Sequence, residues 1–243
     1  MTPINRTLLA ASLGAAPLLL SAGEVARKYV MFGKADSDDP VIHTRNKILQ
    51  VAAHPDLWTV HSYLTLLGIL AWSGAMIAIA TVISARQPVL GVVGGILGLA
   101  SVVGYAAHLG FYTIPLGVSA GMADQDLDAA VTVWLAGESD SFLTAMVLFF
   151  IATMVIGQFA LGLGLWRARA VPWWAAACLP ISVALGLEPG SHPLWGLVLL
   201  LPLIPFLFVA IRQQEEPKAV SPRPHPRRPP QDQPAPSGQR RPR

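Results

Sequence analysis

The chain has 243 residues, of which 53% are hydrophobic and 13% charged, and its mean hydropathy is +0.52. A soluble domain carries roughly a quarter of its residues as charges, so this composition excludes an ordinary soluble enzyme and selects a chain whose solvent is the bilayer. The single cysteine, Cys178, excludes an intramolecular disulfide and cysteine-based zinc or iron–sulfur sites, while the formal charge of +3 acquires meaning only when assigned to span ends.

A hydrocarbon core of roughly 30 Å requires about 20 apolar residues in a helix. In chain order the candidates are residues 7–23, 57–85, 89–118, 141–166, 171–187 and 194–211. The first is short and contains Pro17; with Arg6 before it, it also reads as a signal peptide. Either reading leaves residue 24 onward outside. Pro55 suits the first helical position of the second span, and Asp56 suits the positive end of its dipole. In the third span Gly91, Gly94, Gly95 and Gly98 form overlapping small-xxx-small pairs, the pattern of a close helix contact. Ser139-Asp140-Ser141 offers an N-cap for the fourth span, and Val171-Pro172 starts the fifth. Tryptophans collect near the ends of these runs, as an aromatic belt does. Residues 214–243 are rich in Pro, Arg and Gln, and the segment is expected to be a disordered cytoplasmic tail.

Basic residues near spans are retained on the cytoplasmic side. Arg6, Arg86, Arg167, Arg169 and Arg212 all fall on one side of a six-span bundle with both termini cytoplasmic. The loops over residues 24–56 and 115–140 and the turn over residues 188–192 then face outward, and no Asp, Glu, Lys or Arg remains near the middle of a span. The expected fold is thus an all-α polytopic bundle of the plasma membrane, the bacterial inner membrane. The lipid bilayer is its first partner. Arginines of the tail, among them Arg223, Arg227 and Arg228, are placed to meet anionic headgroups at about 1 kcal/mol each; other membrane subunits are further candidates, and nucleic acid is not expected.

This topology gathers chemistry at the outer half. His43, His54, His61, His108 and His192 face outward, as do eleven of the fourteen acids, the others being Glu215, Glu216 and Asp232. His54 and His61 share one face of the second span, continued by Thr65, Gly68 and Trp72. Ser101, Tyr105, His108 and Tyr112 form one stripe on the third, antiparallel to it, so His61 and His108 meet near the outer boundary. Glu24 ends the first span at a similar height, and Glu188 with His192 closes a turn there. Ionisable groups at such depth are costly unless paired or hydrated, which makes them functional candidates. Three chemistries suit them. Two imidazoles from among His54, His61 and His108 plus a carboxylate suit Zn²⁺ or Cu²⁺; two imidazoles suit a haem; a histidine beside Tyr105 and Tyr112, with Glu24 or Asp56 as acid, suits proton transfer to a quinone, isoprenoid or lipid-like substrate. The plain alternative is histidines that hydrogen-bond to a tyrosine, a carbonyl or a headgroup, and the cofactor is left open. Asp124, Asp126 and Asp128 alternate as calcium ligands do, but the glycine and distal glutamate of an EF-hand are missing, so they read as a solvated face. Gln158 reads as a polar link between helices, and Glu24 with Arg27 as a local ion pair.

The segment from His54 through the third span, and Gly164-Leu-Trp-Arg-Ala-Arg-Ala-Val-Pro-Trp-Trp, resemble uncharacterised multi-pass membrane proteins of high-GC bacteria. Such proteins show an Ala-His-Pro-x-x-Trp helix start and a Trp-Arg-x-Arg-Ala-Val-Pro turn. The likeness covers about residues 50–190 and implies a helical bundle with no assigned chemistry. Membrane-embedded terpene cyclases are of similar size, but the acidic motif expected inside a span is missing here. The expected function is binding of a small ligand, metal or partner subunit in an outward-facing pocket of Glu24, His61, Tyr105, His108 and Tyr112; the alternative is a membrane enzyme doing acid–base chemistry on an apolar substrate. No inverted repeat argues for a transporter.

Overall fold

The computed structural model describes residues 3–32, 37–186 and 193–215, and among them every regular element is helical. The elements are α1 (Pro3–Val30), α2 (Pro40–Ala53), α3 (Pro55–Ser84), α4 (Pro88–His108), a π-helical turn (Leu109–Thr113), α5 (Ile114–Glu138), α6 (Ser141–Arg167), α7 (Trp173–Gly186), a 3₁₀ segment (Pro193–Leu200) and α8 (Leu203–Glu215). Among the described residues three helical stretches are long and apolar enough to cross a membrane: Pro55–Ser84, Pro88–Glu138 and Ser141–Arg167. At most 39% of the apolar window of each is buried inside the protein. Leu66, Leu70, Val92, Ile96, Phe149 and Ile156 point outward instead, which suits a lipid environment. The shorter apolar helices Trp173–Leu185 and Gly196–Ile211 complete the bundle.

Local sequence explains most boundaries. Pro55 opens α3 and Asp140 caps α6, its carboxylate accepting from the Phe142 amide at 2.7 Å. At the end of α6 the amides of Arg169 and Ala170 bond to the carbonyls of Trp166 and Leu165, a Schellman closure with Arg169 at φ 52° where glycine is usual. Arg86 donates to the Ala168 carbonyl at 2.8 Å and ties the α3–α4 turn to this one. The expected last span is broken: the 3₁₀ segment ends at Leu200, and α8 resumes beyond Pro202, which has no amide to continue a helix.

The glycines of α4 act as the spacing implied. A Cβ built on Gly94 falls 2.8 Å from the Leu161 side chain, and one built on Gly157 of α6 falls 3.1 Å from the Gly98 amide nitrogen. α4 and α6 therefore touch backbone to backbone. Around them lies a dry core at the Arg86 end, with Leu13 and Ala16 of α1, Met76, Ile79 and Ile83 of α3, Leu161 and Leu165 of α6, Leu179 of α7 and Phe206 of α8.

The two long outer loops are a correction. Residues 115–140 continue helically to Glu138, and residues 40–53 form α2. Asp39 caps α2 by accepting from Val41 at 2.8 Å. Asp126 kinks α5 (φ −155°, ψ 89°) and accepts from the Ala129 amide at 2.9 Å, so it starts a second amphipathic stretch. Ile48 and Val51 of α2 then bury against Ala130, Val131 and Trp134, together with Val30, Trp58 and Leu116. Arg45 pairs with Asp128, and Lys47 lies 3.6 Å from Glu138. Of the acids expected on a solvated loop, Asp126 thus caps a helical layer over the end of the bundle opposite Arg86, and Asp128 and Glu138 clamp it, while Asp124 stays exposed. Glu188, His192 and the tail from residue 216 lie outside the described residues.

Candidate functional site

Between the dry core and the α2–α5 layer runs a cavity of about 380 Å³. Its α3 wall is His61, Thr65, Ile69 and Trp72, a stripe of about three helical turns, so the cavity extends roughly 16 Å along the helix axis. The opposite wall comes from α4 and the π-turn (Ser101, Val102, Tyr105, His108, Tyr112), α6 adds Phe150, Met154 and Gln158, and α1 adds Leu20, Glu24, Arg27 and Lys28. The structure therefore places Glu24, His61, Tyr105, His108 and Tyr112 around one space. His54 and Asp56 do not line it. Both are exposed at the break between α2 and α3, with His54 edge-on to Tyr29 at 6.3 Å between ring centroids.

His61 is only 2% exposed. Its Nδ1 lies 2.8 Å from the Gly23 carbonyl oxygen. A carbonyl can only accept, so Nδ1 carries the proton and Nε2 of the neutral ring presents a lone pair. This approach requires glycine: a Cβ on Gly23 would sit 2.8 Å from Thr65 Oγ1. Among the described residues Nε2 finds no hydrogen-bond partner. Gln158, also 2% exposed, donates a weak contact from Nε2 to Met76 Sδ at 4.0 Å, and its Oε1 is likewise unpartnered. Gln158 thus links α6 to α3, yet its carbonyl oxygen is unused among the described residues.

At the end nearer the α2–α5 layer Glu24 accepts two bonds from Arg27, at 2.6 and 2.9 Å, with Lys28 Nζ 3.8 Å away. The local pair expected from the three-residue spacing is formed, so the Glu24 carboxylate is engaged by a guanidinium. Its usefulness as a proton donor is correspondingly low.

An aromatic column closes the α4–α6 side. Phe150 stacks on Tyr105 at 5.4 Å, His108 stacks on Tyr112 at 5.0 Å and 13°, and Tyr112 meets Trp134 edge-on at 5.1 Å. Beyond it lies a second, more apolar hollow of about 560 Å³, which shares His108 and Tyr112 as a wall. The π-turn that carries this column has a local cause. Pro115 lacks an amide for the Phe111 carbonyl and its ring crowds that carbonyl, so the helix widens. The Thr113 carbonyl at its end accepts from the Trp58 indole at 3.0 Å, fixing the turn to α3.

His61 and His108 line one cavity with Glu24, whereas the third candidate ligand, His54, is outside it. Among the described residues no group of three or more His, Cys, Asp or Glu is close enough to hold a metal ion. No protein-family model, no curated protein and no solved structure matches the chain.

Proposed function

We propose that this is a six-span plasma-membrane protein, with both termini in the cytoplasm, that binds a small and largely apolar ligand in its outward-facing cavity. The observation that carries the reading is the cavity's construction: apolar walls, two buried acceptors without partners, and an ion pair at one end. Ligand sites of about 300–1,000 Å³ combine apolar lining with a few convergent polar groups in this way. The topology is supported by the Arg86–Ala168 bond, which draws the basic turns to one end, and by the acid-rich α2–α5 layer at the other. Burial of Leu13 and Ala16 favours a retained first helix over a cleaved one. The resemblance to uncharacterised bacterial multi-pass proteins is compatible with this reading and adds no chemistry to it.

The enzyme reading keeps the two histidines. His61 and His108 line the cavity as potential bases, and His61 Nε2 is unpartnered among the described residues, whereas Asp56 is exposed elsewhere and Glu24 is held by Arg27. Saturable binding of an extracted lipid-like ligand without turnover supports a binding protein; product formation abolished by His61→Gln supports the enzyme.

Orientation has its own test. In a Cys178→Ala background, cysteines at Ser37, Gln125 and Gly190 are expected to react with an impermeant thiol reagent on intact cells. A cysteine at Gln87 is expected to react only after the membrane is opened, and the reverse pattern refutes the topology.

A further inference from the structure

Resting on the reading of the cavity as a ligand site, we propose that its occupant is an elongated apolar alcohol whose hydroxyl is donated to His61 Nε2. Three observations lead there. The Gly23 carbonyl commits Nδ1 as the donor, which leaves Nε2 as an acceptor that no described residue satisfies. A buried acceptor of this kind is costly until a donor reaches it, so the ligand must bring an O–H or N–H. Between His61 and Trp72 the wall is Thr65 and Ile69, faced by Leu20 and Val102, which suits an uncharged chain.

A neutral hydroxyl fits better than the other donor, an ammonium. The adjoining Arg27 and Lys28 outnumber Glu24, and that local excess of positive charge repels a cation. Length follows from geometry. The eleven residues from His61 to Trp72 span roughly 16 Å, which matches an extended chain of about a dozen carbons. Beyond that level Gln158 Oε1 forms a polar floor. A shorter chain leaves room for a water on this oxygen, while a longer one presses methylene groups against an unsatisfied acceptor. Gln158 thereby acts as a length limit.

The test is photolabelling of the full-length protein in nanodiscs by dodecan-1-ol carrying a terminal diazirine, with adducts mapped by mass spectrometry. Saturable labelling is expected on Trp72, Met154 or Gln158. Unmodified dodecanol should compete at least tenfold better than dodecyl methyl ether, which has the same chain without the donor. His61→Phe should erase that preference, but the wild-type alcohol–ether comparison requires no variant to fold. Hexadecanol should compete more weakly than dodecanol and regain strength in Gln158→Leu. Equal competition by alcohol and ether overturns the hydroxyl assignment while saturable cavity labelling keeps the ligand site. Equal competition by the two chain lengths in wild type overturns the floor at Gln158. Absence of saturable cavity labelling overturns the site along with its ligand.

Discussion

Replacing Gly157 with leucine is expected to destabilise the bundle by about 3 kcal/mol or more. A side chain here has nowhere to go. The added Cβ alone would lie 3.1 Å from both the Gly98 nitrogen and the Leu97 carbonyl carbon, and these are backbone atoms of a neighbouring helix rather than the end of a flexible side chain. Close backbone approach is what small residues contribute where lipid is as apolar as the helix surface and no hydrophobic drive assembles the pair. Leucine would prise α4 from α6 beside the wall that carries Ser101, Tyr105 and His108, so ligand binding should fail together with stability. Alanine should cost less, about 1 kcal/mol. Gly121→Ala is the control, since a Cβ there meets nothing within 4 Å. Thermal unfolding followed by fluorescence-detected size exclusion measures all three; a Gly157→Leu midpoint within a degree or two of wild type would refute the contact.

The parts of this fold that were legible are those with local causes. Charge-free apolar runs, Pro55 at a helix start, Asp140 as a cap and the glycine face of α4 are each decided within a few residues. The stripes of α3 and α4 were legible too, because helical period places Thr65 and Trp72 under His61, and Tyr105 near His108, whatever surrounds them. The α2–α5 layer is less legible for a different reason. α2 and the end of α5 are too polar to read as spans, yet Thr44, Ile48 and Val51, and Leu127, Ala130, Val131 and Trp134, recur at helical spacing behind the caps Asp39 and Asp126. That periodicity is a helix signal, which reading charged segments as loops overlooks. The π-turn also had a marker in Pro115. What no local pattern contains is which helix supplies the far wall: Arg27, Phe150 and Gln158 reach the cavity only through the packing of α1 and α6. His54 shows the converse error, since sharing a face with His61 did not bring it into the bundle when the helix itself began one residue later.

Breaking the Glu24–Arg27 pair is the second large effect, and a double-mutant cycle should show it as coupling rather than as two independent losses. Glu24→Gln is expected to cost about 2 kcal/mol. Removing one partner of a buried pair costs about 3–5 kcal/mol because the other charge stays buried and uncompensated. Here the side chains are 16% exposed for Glu24 and 32% for Arg27, so water reaches the arginine and the cost is smaller. Arg27→Met should cost less than Glu24→Gln, because Lys28 Nζ, 3.8 Å from the carboxylate, can move in as the replacement partner. The double variant Glu24→Gln/Arg27→Met removes both charges and should regain much of the single losses, with a coupling of about 1.5 kcal/mol. The asymmetry between the single variants distinguishes a buried triad from a solvent-screened i,i+3 pair, for which both singles would cost less than about 0.5 kcal/mol. Unfolding midpoints of the four proteins in one detergent measure it, and strictly additive losses would mean that the bidentate contact within α1 contributes nothing to stability.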